Sequence, residues 1–320
     1  MPWKPLAWNP KESDIEEDAL RRYLDEQVYS LPGTDHHREV FTIVLTGSRA
    51  MGKHTPESDV DIDVICPEEV YVPLQRACRD AGVTRSRESF WCPLSLKEEE
   101  EWRRYFGGNS VPHFCVNTLE SVEQQFADCD DVALWIWSNA RIIADPNRQF
   151  QRILEGFAGY PADVLIKKIK YHWLMCWYWG IEVYPFHHNS DSELITAGTA
   201  VLNAILEMMR VFFLVEGRPY PYTEKLPHFI GTTKLGSRFG TFLEKLTNIT
   251  IGKSECQLTA WERLDMASGL LLDDMNNPET VELEEQTTKA IIAAGVEKEW
   301  MDDYFANMDE LLLGKLGPVP

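Results

Sequence analysis

The stretch Asp59–Cys66, DVDIDVIC, limits what this chain can fold into more than any other. Acidic and apolar residues alternate strictly along it. Asp59, Asp61 and Asp63 fall on one side of an extended chain, and Val60, Ile62 and Val64 on the other. The apolar side predicts a buried strand. The acidic side sets carboxylates about 6 to 7 Å apart, where like charges repel unless something positive sits between them. Asp is also disfavoured in strands. A divalent cation resolves the conflict, and hard oxygen ligands of this kind suit Mg²⁺, which is commonly held by one or two carboxylates together with substrate phosphates. An amphipathic strand with its polar side toward water would alternate in the same way, so the meaning of the acids depends on their neighbours.

The neighbour is Phe41–Thr46, FTIVLT, an apolar and β-branched run of the kind that makes a buried strand. Gly47 and Ser48 break it, and small residues at such a point let the backbone approach a phosphate closely. A glycine turn after one strand and an acid pair on the next read as two halves of one metal and nucleotide site. The turn, the spacing and the acids occur together, which is a far more specific signal than any one of them.

Gly47, Ser48, Asp59, Val60 and Asp61 resemble the signature of the nucleotidyltransferase superfamily with the DNA polymerase beta type of catalytic core. GSRAMG followed by SDVDI is most similar to the minimal nucleotidyltransferases, a group that includes antibiotic-modifying adenylyltransferases, and Ser58 stands where many small members carry serine. The resemblance implies an α/β (α+β) nucleotidyltransferase core with a mixed sheet. It implies that Gly47 allows the tight turn, that Ser48, with Ser58 nearby, contributes to nucleotide binding, and that Asp59 and Asp61 bind two Mg²⁺ ions. The implied co-substrate is ATP or another nucleoside triphosphate, and the implied reaction is attack of an acceptor hydroxyl on its α phosphate. Asp63 departs from the family pattern, which more often has a neutral or apolar residue there.

Members of the superfamily often place a third acid on a downstream strand. Val111–Thr118, VPHFCVNT, is predicted to be such a strand, with His113, Cys115 and Asn117 on one face and no carboxylate among them. His113 is the candidate base, since neutral imidazole has a pKa suited to the work. Glu88 and Glu120 are the other candidates. The gap leaves open a third reading, a nucleotide-binding protein that keeps the fold without turnover.

Composition bounds the rest. At 320 residues, with 44% hydrophobic residues and 11 Trp, the chain is an ordered protein of one large or two ordinary domains. With 51 acidic against 31 basic residues the formal net charge is −20. Such a field disfavours nucleic acid as the main partner and favours a cationic one. The seven Cys show no CxxC pair or zinc spacing and read as reduced thiols of a cytoplasmic protein. The N-terminus has no apolar signal core, and no run approaches the roughly 18 apolar residues that span a bilayer, so no membrane association is expected. Nothing in the sequence addresses oligomeric state.

In chain order, Ser13 is a predicted N-cap for a helix carrying Ile15, Ala19, Leu20, Tyr23 and Leu24, ended by Pro32 and Gly33. Glu68–Ala81 is predicted to be helical, 83–96 an ambiguous strand and 97–106 a helix stopped by Gly107 and Gly108. The nucleotidyltransferase domain is placed at 1–145, ending at the Asp145–Pro146 turn, and a helical domain at 146–320. Helices are expected over 163–180, 192–216, 240–247, 259–275, 281–294 and 298–313, the second apolar on nearly all sides and therefore buried. This layout is also that of the streptomycin and lincosamide modifying types.

In the segment Gly217–Leu226, Lys225 is a candidate triphosphate contact and Tyr222 a candidate base-stacking ring, beside the plainer reading of a loop cap. The pairs His36–His37 and His187–His188 do not suit chelation of one ion, because adjacent side chains point apart. Trp173, Trp177, Tyr178 and Trp179 read as core or domain interface, beside the alternative of covering a cation with their π faces. The favoured acceptor is a small molecule such as an aminoglycoside or lincosamide, and Glu182, Asp191, Glu193 and Glu207 would suit a polycation. A protein or tRNA acceptor is the alternative.

Overall fold

The computed structural model describes residues 17–30, 38–55, 58–80, 90–91, 105, 112–187, 191–253, 257–303 and 306–308. The chain divides into two compact units, Met1–Ala158 and Gly159–Pro320. The expectations for Ser13, Ile15, Pro32, Gly33, His36, His37, Glu88, Gly107, Gly108 and His188, and most of those for 83–106, lie outside the described residues.

The first unit is built on a mixed five-stranded sheet. Its strands are β1 (Thr42–Thr46), β2 (Val60–Cys66), β3 (Phe90–Trp91), β4 (Pro112–Thr118) and β5 (Arg141–Ala144), in the order β3-β4-β2-β1-β5. β1 pairs antiparallel with β2 and β5, and β2 pairs parallel with β4. The alternation read from the sequence is the reason β2 sits where it does. Val60, Ile62 and Val64 are fully buried and cluster with Ile43 and Leu45 of β1 and with Leu20, Tyr23 and Leu24 of the N-terminal helical segment. Asp61 and Asp63 remain half-buried.

Asp145 does not close the unit. Its carboxylate accepts from Thr42 Oγ1 at 2.8 Å and from the backbone N–H of Gln149 and Gln151, each at 2.9 Å. It thereby ties β1 to the start of the next helix, Gln149–Gly156. The following residue, Phe157, meets Phe126 edge to face at 5.4 Å between centroids.

The second unit is helical. Its centre is the helix Leu194–Leu214, which packs against the helices Ala162–Trp177, Lys234–Thr250 and Ala260–Leu272. Ala197, Ala200, Val201, Ala204, Val211, Phe212 and Phe213 on it are fully buried, as apolarity on all sides requires. By length and a mean hydropathy of 1.5 it is the one helix among the described residues able to cross a membrane, but 67% of that window is buried within the protein. It lies within the 192–216 span expected from the sequence. Trp173 and Trp177 pack edge to face at 5.8 Å and belong to this core or its margin. Thr259 and Glu262 close a reciprocal capping box that starts the helix Ala260–Leu272.

Candidate functional site

The site is made where β1 ends. Thr46 leaves the strand, Gly47 takes φ +67°, and the chain turns into the short helix Gly47–Ala50. Across the ladder Thr46 is paired with Asp61, so the turn and that acid face each other. A Cβ at position 47 would fall inside the van der Waals shell of Asp61 Oδ2. Glycine is thus required twice at this point, by the left-handed backbone and by the carboxylate lying against it.

Asp59 lies one residue before β2 and is exposed. Its backbone is held by Arg49, whose buried guanidinium donates from Nε to the carbonyls of Ser58 and Asp59 at 3.1 Å each and from Nη2 to Ser58 O at 2.8 Å. The Ser58 hydroxyl closes the preceding turn by accepting from Thr55 N–H at 2.8 Å. A second buried arginine, Arg141 on β5, donates from Nε to the carbonyl of Ala50. Two arginines therefore clamp the turn from inside. Both look like ordinary basic residues in the sequence; only Arg49, two residues from Gly47, carried a local signal of proximity.

Asp63 plays a different part from Asp61. Thr46 Oγ1 donates to one of its oxygens at 2.7 Å and Asn117 Nδ2 to the other at 2.9 Å. Burial, followed by the nearby Asp61 charge, pushes its pKa up to about 6, against the lowering effect of those two donors. The group thus joins β1, β2 and β4 by hydrogen bonds. Cys115, in register with Asp63, has its thiol pushed up to about 12 by burial and by the charges of Asp63 and Asp61, so it is held as the unreactive thiol.

The β4 register also sets His113 beside Asp61. No carboxylate of β4 stands in register with the acids. Glu120 is excluded as a base at this site: it accepts from the Glu68 N–H, beyond the opposite end of β2 from Asp59. Among the described residues no cluster of three or more His, Cys, Asp or Glu could hold a metal by itself. The Asp61 carboxylate against a glycine turn, with Asp59 two residues before it, nevertheless suits a hard cation that takes its remaining ligands from phosphate and water, which is the habit of Mg²⁺.

Residues 34–106 match the family model of the nucleotidyltransferase domain. The first unit carries a nucleotidyltransferase domain. Residues 126–225 match a second model, a domain of unknown function named DUF4037. The chain is also similar to the crystal structure of a nucleotidyltransferase-like protein from Exiguobacterium sibiricum 255-15. Identity is 12% and the TM-score 0.40, over 94% of this chain and 89% of that one. No curated protein matches.

The DUF4037 match runs from the first unit into the helical unit, where it covers a buried polar network. Glu207 Oε2 lies 2.5 Å from His172 Nδ1, its Oε1 accepts from Arg210 Nη1 at 2.5 Å, and His172 Nε2 lies 3.0 Å from the Tyr220 hydroxyl. Glu207 is therefore buried and engaged, not part of a surface offered to a polycation. Glu193 lies 3.1 Å from His187 Nδ1. Lys225 also belongs to the helical unit, with its ammonium 6.0 Å from the Tyr222 ring centroid.

Proposed function

We propose that the protein transfers a nucleoside monophosphate, AMP from ATP, to a hydroxyl of a small molecule, with Gly47, Ser48, Asp59 and Asp61 forming the site. The observation that carries this reading is the Asp61 carboxylate lying against Gly47, because it makes the phosphate-cradling turn and the acid strand one site. The acceptor oxygen forms a bond to the α phosphorus, the bond from that phosphorus to the bridging oxygen breaks, and pyrophosphate leaves. Two Mg²⁺ ions, which Asp59 and Asp61 would hold, supply neutralisation of the triphosphate charge. Gly47 keeps the space beside Asp61 clear, and the Ser48 hydroxyl and turn amides bind the β and γ phosphates. His113, in register with Asp61, takes the proton of the attacking hydroxyl. Ser58 is assigned to support of the Asp59 loop.

The net charge of −20 supports a cationic acceptor such as an aminoglycoside, with lincosamides as the second class. Free thiols at Cys66, Cys115, Cys129 and Cys176 suit a cytoplasmic setting. One observation favours a silent nucleotide binder instead: the residues of β4 nearest the acids are His113, Cys115 and Asn117, with no third carboxylate. Pyrophosphate release from each of the four nucleoside triphosphates with Mg²⁺, against aminoglycosides and lincosamides, separates the two readings. Release that depends on an acceptor and on Asp61 supports transfer. Triphosphate binding without release for any of them favours a protein or tRNA acceptor or the silent binder, and the same assay with protein and tRNA added separates those two.

A further inference from the structure

We propose that Arg49 is the positioning residue of the acid pair, acting on Asp59 through the backbone without touching substrate; this rests on reading the turn and acids as a metal and nucleotide site. Arg49 is 5% exposed, although it follows the Gly-Ser turn directly, where a basic side chain would be expected to point out toward phosphate. Its guanidinium turns inward instead and spans two consecutive carbonyls, those of Ser58 and Asp59.

Those bonds matter because, among the described residues, the sheet's pairing stops one residue short of Asp59. The pairing of β1 with β2 runs from Thr42↔Ile65 to Thr46↔Asp61, and the pairing of β4 with β2 starts at Val60. Asp61 is therefore held by the ladder, whereas Asp59 lies just outside it. Arg49 extends the order of the sheet by one residue to include the second acid. The helix Gly47–Ala50 consequently sets both acids: Gly47 by its closeness to the Asp61 carboxylate, Arg49 by its grip on the Asp59 carbonyl. Arg141 holds the helix in turn through the Ala50 carbonyl. A planar guanidinium reaches two carbonyls at fixed angles, whereas an ammonium is a single point, so Arg49→Lys keeps the charge and loses the fork.

The test measures binding as well as turnover. Water-proton relaxation reports the affinity of the full-length protein for Mn²⁺ with whichever of the four nucleoside triphosphates binds the wild type tightest. Arg49→Lys is expected to weaken that affinity about tenfold, in the range found when a group supporting a metal ligand is removed. Asp59→Ala is expected to weaken it at least as much, and the double variant no more than Asp59→Ala alone, since Arg49 acts through Asp59. Wild-type affinity in Arg49→Lys, or losses that multiply in the double variant, would overturn the assignment. Arg49→Gln, with one amide to offer, is the second variant should the lysine form fail to melt cooperatively; if neither folds, Arg49 is a scaffold residue and the assignment is wrong. A wild type that binds no Mn²⁺ with any triphosphate removes the site reading itself, an outcome distinct from normal wild-type binding with an indifferent Arg49→Lys.

Discussion

Gly47 and Gly52 both take positive φ, +67° and +65°, within one turn of chain, yet only Gly47 has a carboxylate where a side chain would go. The pair separates backbone strain from site geometry. Alanine at either position is expected to cost about 1 to 2 kcal/mol for the left-handed conformation. At Gly47 it also drives the Asp61 carboxylate aside, and misplacement on the ångström scale costs on the order of 100-fold in rate. Thermal melting and transfer rates check this: similar losses of Tm, with activity lost only in Gly47→Ala. Gly47, Asp59 and Asp61 stand out as candidates in the sequence because their pattern is local. Asp63 was not legible, since its role depends on Asn117 from another strand, and neither was Arg141, whose partner Ala50 lies on a distant segment.

Elements were read well where their period is strong. β1, β2 and β4 alternate or run apolar, and the helix Leu194–Leu214 is apolar on all sides, so each is dictated by what it buries. What periodicity cannot convey is the cross-helix bonding inside the second unit. Glu207 on the helix Leu194–Leu214 reads in the sequence as a carboxylate that would suit a polycation, but it serves His172 and Arg210 in the interior. Removing it takes one hydrogen-bond partner from His172 and one from Arg210, and loss of one member of such a pair in the interior costs roughly 3 to 5 kcal/mol. Glu207→Ala is expected to melt about 8 °C or more below the wild type, by the usual relation of stability to Tm. Tyr220→Phe removes one hydrogen bond from His172 and should cost only about 1 kcal/mol. Equal effects in urea denaturation would show that the network is not organised around Glu207.

Over the whole molecule the sequence conveyed an α/β part followed by helices, but the position of the division is set by contacts that span the first unit. Asp145 bonds Thr42 across 103 residues, and this keeps the helix Gln149–Gly156 with the sheet. The net charge of −20 acts at the same scale. If the acceptor is a polycation, its KM should rise steeply with ionic strength, about tenfold between roughly 50 and 300 mM KCl, because screening shortens the reach of the protein's field. A monocationic lincosamide should change no more than about twofold over the same range. Steady-state kinetics at several salt concentrations distinguish the two.

The most direct test of nucleotidyl transfer is to follow the label from triphosphate carrying ³²P at the α position or at the γ position into the acceptor, for the wild type and Asp61→Asn. The account predicts α label on the acceptor, γ label in pyrophosphate, and loss of both in Asp61→Asn. γ label on the acceptor, or α label transferred equally well without Asp61, would contradict it.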